Sequence, residues 1–180
     1  MNIHDEWTAI LQDISFILSK VEETKLEFLV NKIQTSKHIF LIGTGRSRMI
    51  LTTFCMRLRH LGFHSFVVGD LYCPPTTCED IAIIASGSGK TSSTLALTKK
   101  FKEYGGHACL LTGEKLSPLG EICNIVIEIP ASTSLDYCKG NPIMRSAYEQ
   151  TLFIILEALT QHLSREMESV EITSRHANIE

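Results

Sequence analysis

The run Ile81-Ala82-Ile83-Ile84-Ala85 empties directly into Ser86-Gly87-Ser88-Gly89-Lys90-Thr91-Ser92-Ser93, and this change of composition decides the fold. An unbroken apolar run without polar alternation describes a strand buried on both faces, as in a parallel sheet. The same transition stands upstream, where His38-Ile39-Phe40-Leu41-Ile42 ends in Gly43-Thr44-Gly45-Arg46-Ser47. Three further runs have the same character: Phe66-Val67-Val68, Ala108-Cys109-Leu110-Leu111 and Ile125-Val126-Ile127-Glu128-Ile129. Between and after them, residues 49–61, 94–104 and 147–163 read as helices. Ahead of them, Ile10, Leu11, Ile14, Ile17 and Leu18, then Leu26, Phe28, Leu29 and Ile33, recur every three to four positions, so residues 1–36 hold two amphipathic helices. Buried strands alternating with helices predict an α/β fold, a three-layer αβα sandwich around a five-stranded parallel sheet.

Composition narrows the function classes. At 180 residues, with 44% hydrophobic side chains and 17 basic against 20 acidic groups, residues 1–180 make one domain with an ordinary core. A chain of this length buries roughly 70% of its unfolded surface and needs neither disulfide nor metal to fold. The pI near 6.2 lacks the positive excess of a nucleic-acid surface. No window reaches a membrane span, since even Leu152 to Leu159 holds Glu157. Asp5 and Glu6 stand where a secretory leader would be basic. The six cysteines, without a Cys-x-x-Cys pair, read as buried thiols of a reducing compartment. A cytoplasmic protein is expected. The polar segment 164–180 reads as a mobile or partner-docked tail.

Open parallel sheets bind ligands beyond the carboxyl ends of their strands. Both glycine- and hydroxyl-rich loops fall there. Glycine lets the backbone approach a ligand, and helix-start amides with Ser or Thr hydroxyls donate to phosphate oxygens. Neither loop is a nucleotide fingerprint: the first lacks a third glycine and the second lacks P-loop spacing. Two ordinary strand-to-helix turns are the bland alternative for this pair of loops, and a phosphate site is the favoured one.

Taken together, Gly43-x-Gly45-Arg46-Ser47, Met56-Arg57-Leu58-Arg59-His60-Leu61-Gly62, Ser86-Gly-Ser-Gly-x-Thr91, Ser117-Pro118-Leu119-Gly120 and Arg175-His176-Ala177-Asn178-Ile179-Glu180 resemble the 6-phospho-3-hexuloisomerases of the sugar isomerase (SIS) domain superfamily. The resemblance implies SIS-domain, flavodoxin-like topology and a cytoplasmic, metal- and cofactor-independent enzyme. It further implies a homo-oligomer, tetramer or dimer, that interconverts 3-hexulose 6-phosphate and fructose 6-phosphate in the ribulose monophosphate pathway. Gly45, Arg46, Ser47, Ser86, Gly87, Ser88, Thr91 and Arg145 are the expected phosphate and substrate ligands.

Moving a carbonyl between neighbouring carbons requires one group to remove a proton and return it through an enediolate. Glu149, in Ser146-Ala147-Tyr148-Glu149-Gln150, matches the glutamate that serves as base in SIS isomerases. Without the resemblance it reads equally as an acidic residue favouring a helix start. His60 and His176 are the candidate acids; the tail bearing His176 is able to reach a neighbouring subunit. His4, His38, His64, His107 and His162 form no metal-ligand pattern. Departures from the family pattern leave specificity open. Arg48 and Arg145 stand in place of glycines, Lys90 in place of glutamate, and Gly69-Asp70-Leu71-Tyr72-Cys73-Pro74 in place of a threonine-rich turn. They fit either drift or a different, more anionic phosphosugar. A phosphosugar-sensing module without turnover is the alternative from another class.

Overall fold

The computed structural model describes residues 2–131, 146–165 and 167–176. The elements run α1 (Ile3–Leu18), α2 (Glu23–Thr35), β1 (Ile39–Gly43), α3 (Gly45–His60), β2 (Ser65–Val67), β3 (Ile81–Ala85), α4 (Ser92–Lys102), β4 (His107–Thr112), α5 (Pro118–Ile122), β5 (Ile125–Glu128), α6 (Ala147–Leu163) and α7 (Ser169–Ser174). The strands pair in the order β2-β1-β3-β4-β5, all parallel. The three-layer α/β expectation is borne out.

Successive side chains of a strand face opposite layers, and the cores divide accordingly. Ile39, Leu41, Ile81 and Ile83 pack with residues of α2, α3 and α6. Phe40, Ile42, Ala82 and Ile84 pack with Phe101 of α4 and Leu119 of α5. β1 and β3 are buried at every position, which is what their unbroken apolar runs required. At their amino ends Asp80, 1% exposed, accepts hydrogen bonds from the His38 amide and ring, both 3.0 Å, and from the Thr77 amide and hydroxyl. A buried carboxylate is stable only when so satisfied. His38, without a role in the sequence reading, thus fastens the sheet's lower edge.

The helices differ from their sequence limits where the apolar period is silent. α3 starts at Gly45 rather than Met49, because its first turn points Arg46 and Arg48 outward and its core stripe begins only at Leu51. α5, one turn capped by Ser117, is too short to carry a period. Part of the 164–180 tail forms α7, and Met167 and Ile172 pack on the chain's own core. Among the described cysteines, Cys55 and Cys109 are buried and Cys73 and Cys123 half-buried, but Cys78 is exposed; it lies in the irregular crossover to β3, outside either core. Burial pushes the Cys123 thiol up to about 12.

The strand order reverses between β1 and β3, whose register places Gly43 beside Ala85. The residues that follow, Thr44 to Ser47 and Ser86 to Thr91, therefore emerge side by side at the switch point, where such sheets bind ligands.

Candidate active site

Each loop is shaped by a glycine with positive φ. Gly45, at φ 54°, opens α3, and a Cβ there would meet nothing within 4 Å, so its glycine answers only to the backbone angle. Gly89, at φ 63°, lies so close to the Ser117 side chain that a Cβ would collide with it. Its carbonyl accepts from the Leu119 amide at 3.1 Å. The Ser117-Pro118-Leu119-Gly120 motif is thus a buttress beneath the second loop.

Within that loop Ser86 is 4% exposed, and its hydroxyl lies 3.3 Å from that of Thr91. Thr91 is the N-cap residue of α4, yet its side chain makes no capping bond; its hydroxyl turns to the loop. Ser88 is exposed, its oxygen accepting from the Lys90 amide at 3.3 Å. Gly87 is anchored through its carbonyl by the Gly113 amide at 3.0 Å. One proton joins Ser86 and Thr91, so three hydroxyls leave two protons for a bound anion, beside the amides of the first turn of α4.

The base candidate stands across the switch point. Glu149 occupies the first turn of α6, and its Oε1 lies 2.9 Å from Arg46 Nη2. Before it, Tyr148 is 3% exposed and donates to the Leu111 carbonyl at 2.8 Å, the oxygen that also accepts from the Ser86 amide at 3.2 Å. The Ser47 side chain lies beside the phenol oxygen and is 8% exposed. Burial, reinforced by the Glu149 charge, pushes the Tyr148 phenol far above its ordinary value, so it is a neutral donor. Tyr148 therefore joins α6 to both loops. Sequence reasoning missed it, because at four and seven residues before Leu152 and Ile155 it reads as one more core position.

The two histidines lie elsewhere. His60 ends α3, whose 16 residues span roughly 22 Å from the Arg46 end. His176 packs against it with ring centroids 5.0 Å apart, and Arg175 donates to the His60 carbonyl at 3.3 Å. The Arg175 guanidinium lies against Gly62, which explains the helix-ending glycine. Burial, then His176 and Arg57, hold the His60 imidazole below its ordinary value. One chain thus brings Arg46, Ser47, Ser86, Ser88, Thr91 and Glu149 to one edge and leaves His60 and His176 at the other. Arg145 lies outside the described residues. Arg48 spends its charge locally, donating to the Val68 carbonyl at 2.7 Å and the Asp70 carboxylate at 3.1 Å; Lys90 is exposed. No group of three or more His, Cys, Asp or Glu able to hold a metal occurs among the described residues, and none of the described helices is long and apolar enough to cross a membrane.

The chain as a whole is similar to known proteins. The SIS domain family profile matches residues 32–159. The chain belongs to the SIS domain family. The 3-hexulose-6-phosphate isomerase of Mycobacterium gastri is 32% identical over 99% of this chain and 92% of its own length. That of Bacillus subtilis strain 168 is 32% identical over 95% of both. A solved Methanococcus jannaschii protein, whose structure infers 3-hexulose-6-phosphate isomerase function, superposes with TM-score 0.84 at 29% identity, covering 98% of this chain and 99% of that one. The motif resemblance to the 6-phospho-3-hexuloisomerases is therefore borne out.

Proposed function

We propose that this SIS-domain protein is a sugar-phosphate isomerase that interconverts 3-hexulose 6-phosphate and fructose 6-phosphate. The observation that carries this reading is Glu149 in the first turn of α6, at the sheet edge where two hydroxyl-rich loops emerge together. Ser86, Ser88, Thr91 and the α4 amides hold the phosphate. Glu149 takes the proton from the hydroxyl-bearing carbon and returns it to the neighbouring one. A positioned base of this kind contributes roughly 10²–10⁴-fold. The full-length likeness to named isomerases supports the substrate.

The acid comes from a second copy. His60 and His176 lie too far from Glu149 to serve it within one chain, whereas α1 leaves Ile3, Trp7, Ile10, Leu11 and Phe16 exposed. An apolar face of this size is an assembly surface. The protein acts as a homo-oligomer, tetramer or dimer, through that surface; the cytoplasm and the ribulose monophosphate route are what the resemblance to the hexuloisomerases implies.

Solvent exchange tests the reading. Incubation with fructose 6-phosphate in D₂O should wash deuterium into C2, and Glu149→Gln should lower kcat by roughly 10²–10⁴ with phosphosugar affinity kept. A wild type that binds phosphosugars without exchange would belong to the sensor class.

A further inference from the structure

The first turn of α3 breaks the local rules of a helix start. Its N-cap residue, Thr44, makes no side-chain capping bond, and no acidic residue stands in the turn. Instead Arg46 and Arg48 place two cations at the end where the helix amides already make the field positive. Gly45, at φ 54°, adds backbone freedom ahead of them. Contacts from outside the helix must therefore hold this turn. Two residues apart on a helix, Arg46 and Arg48 point to nearly opposite sides. Arg46 meets Glu149 on α6. Arg48 reaches the turn after β2, where Nη1 donates to the Val68 carbonyl at 2.7 Å and Nη2 to Asp70 Oδ1 at 3.1 Å. That turn is firm. The Val68 amide donates to the Leu41 carbonyl and the Asp70 amide to the Val67 carbonyl, both at 3.0 Å, and the Cys73 thiol donates to the same Val67 carbonyl at 3.2 Å.

We propose that Arg48 is a positioning residue: its fork fastens the uncapped start of α3, which carries Arg46 and Ser47, to the turn after β2. The inference rests on the isomerase reading above. Arg48 spends both branches of its guanidinium on Val68 and Asp70, so it acts through the turn it holds rather than on the substrate. Drift at a solvent-facing position does not account for a planar fork with both branches engaged, one of them on a main-chain carbonyl. Magnitudes separate this role from a structural one. The Arg48 and Asp70 side chains are 40% and 55% exposed, and an ion pair so exposed adds little to folding. Geometry at a reacting site is more demanding, since a displacement of about 1 Å costs up to roughly 10²-fold in rate. Loosening the clamp should therefore show in turnover and hardly in melting. The hydroxyl loop is held separately, by the Gly113 amide on the Gly87 carbonyl and by Ser117 against Gly89. Phosphate binding should not follow the clamp.

Kinetics of Arg48 and Asp70 variants test the clamp, with melting temperature as the fold control. Arg48→Ala should lower kcat by about 10–10²-fold, keep the affinity for inorganic phosphate within threefold, and shift the melting temperature by no more than about 4 °C. Arg48→Gly should be as slow as Arg48→Ala, whereas drift predicts an active variant. Arg48→Lys, with one donor point in place of the fork, should recover part of the rate. Asp70→Ala removes one branch and should lose less, and the Arg48→Ala/Asp70→Ala double variant should be no slower than Arg48→Ala alone. Turnover of Arg48→Ala within threefold of wild type overturns the proposal, and so do losses that multiply in the double variant. A tenfold loss of phosphate affinity would make Arg48 a ligand instead. A rate deficit that vanishes in assays well below the variant's melting temperature would assign it to stability alone, which also overturns the clamp. A wild type that exchanges no deuterium removes the isomerase reading together with this inference; an exchanging wild type with a fully active Arg48→Ala removes this inference only.

Discussion

The Tyr148 hydroxyl donates to the Leu111 carbonyl at 2.8 Å, tying the helix that carries Glu149 to the end of β4. That carbonyl keeps a second donor, the Ser86 amide at 3.2 Å, so removing the phenol oxygen strands no buried acceptor. Tyr148→Phe should cost about 0.5–1.5 kcal/mol for this bond, and in addition whatever the buried Ser47 side chain contributes at the phenol oxygen. Urea unfolding of the two proteins measures it; a loss above about 3 kcal/mol would mean that the hydroxyl holds more than this bond.

The sheet was legible because β1 and β3 are buried on both faces and their residues say so. Ligand-facing features were less legible. The first turn of α3 buries Ser47 between polar Arg46 and Arg48, and apolar periodicity cannot register a turn whose partners are polar groups of other elements. From sequence Arg48 fits either drift or added charge for an anionic substrate; in the structure Val68 and Asp70 absorb it, a contact between residues 20 or more apart in sequence. The motif resemblance located Glu149; local spacing alone left it an ordinary helix-start acid.

The two loop glycines should respond differently to alanine. Gly45→Ala meets no neighbour, so it carries only the left-handed backbone cost, about 1–2 kcal/mol. Gly89→Ala adds a collision with Ser117, and either Gly89 or α5 must move. Phosphate affinity should drop in Gly89→Ala by more than tenfold and in Gly45→Ala by less, read by titration calorimetry with inorganic phosphate. Equal losses would show that the Ser117 buttress does not shape the loop.

His60 makes stability depend on pH. Its imidazole is held below the ordinary value by burial, His176 and Arg57, so the unfolded chain binds its proton more readily than the folded one. Stability should therefore be full above the unfolded value of about 6.5 and decline as pH falls through the lower folded value. His107 is lowered by burial and by Lys32 and Lys102 and adds to the same slope, so the decisive quantity is a difference. His60→Asn should flatten the decline between about pH 7 and 5 in thermal melts, and an unchanged slope would assign the whole effect to His107 or other groups.

Subunit mixing decides whether the acid is shared. Glu149 and His60 stand near opposite ends of the 16-residue α3, so one chain cannot apply both to one substrate. His60→Ala and Glu149→Gln should each be nearly inactive alone. If a site takes Glu149 from one copy and His60 from the next, refolding the two variants together restores some sites. Random pairing gives about a quarter of sites a native Glu149 facing a native His60, because each comes independently from either variant. Turnover of the mixture should then approach about a quarter of wild type, while each variant refolded alone stays inactive. If both groups acted within one chain, every chain in the mixture would lack one of them and no activity would return. Mixing folded oligomers without denaturation supplies the control: activity that appears only after subunits exchange ties the gain to the interface rather than to carried-over enzyme. Sedimentation of the same samples reports whether they assemble at all, and a fully active monomer would remove the shared site from the mechanism.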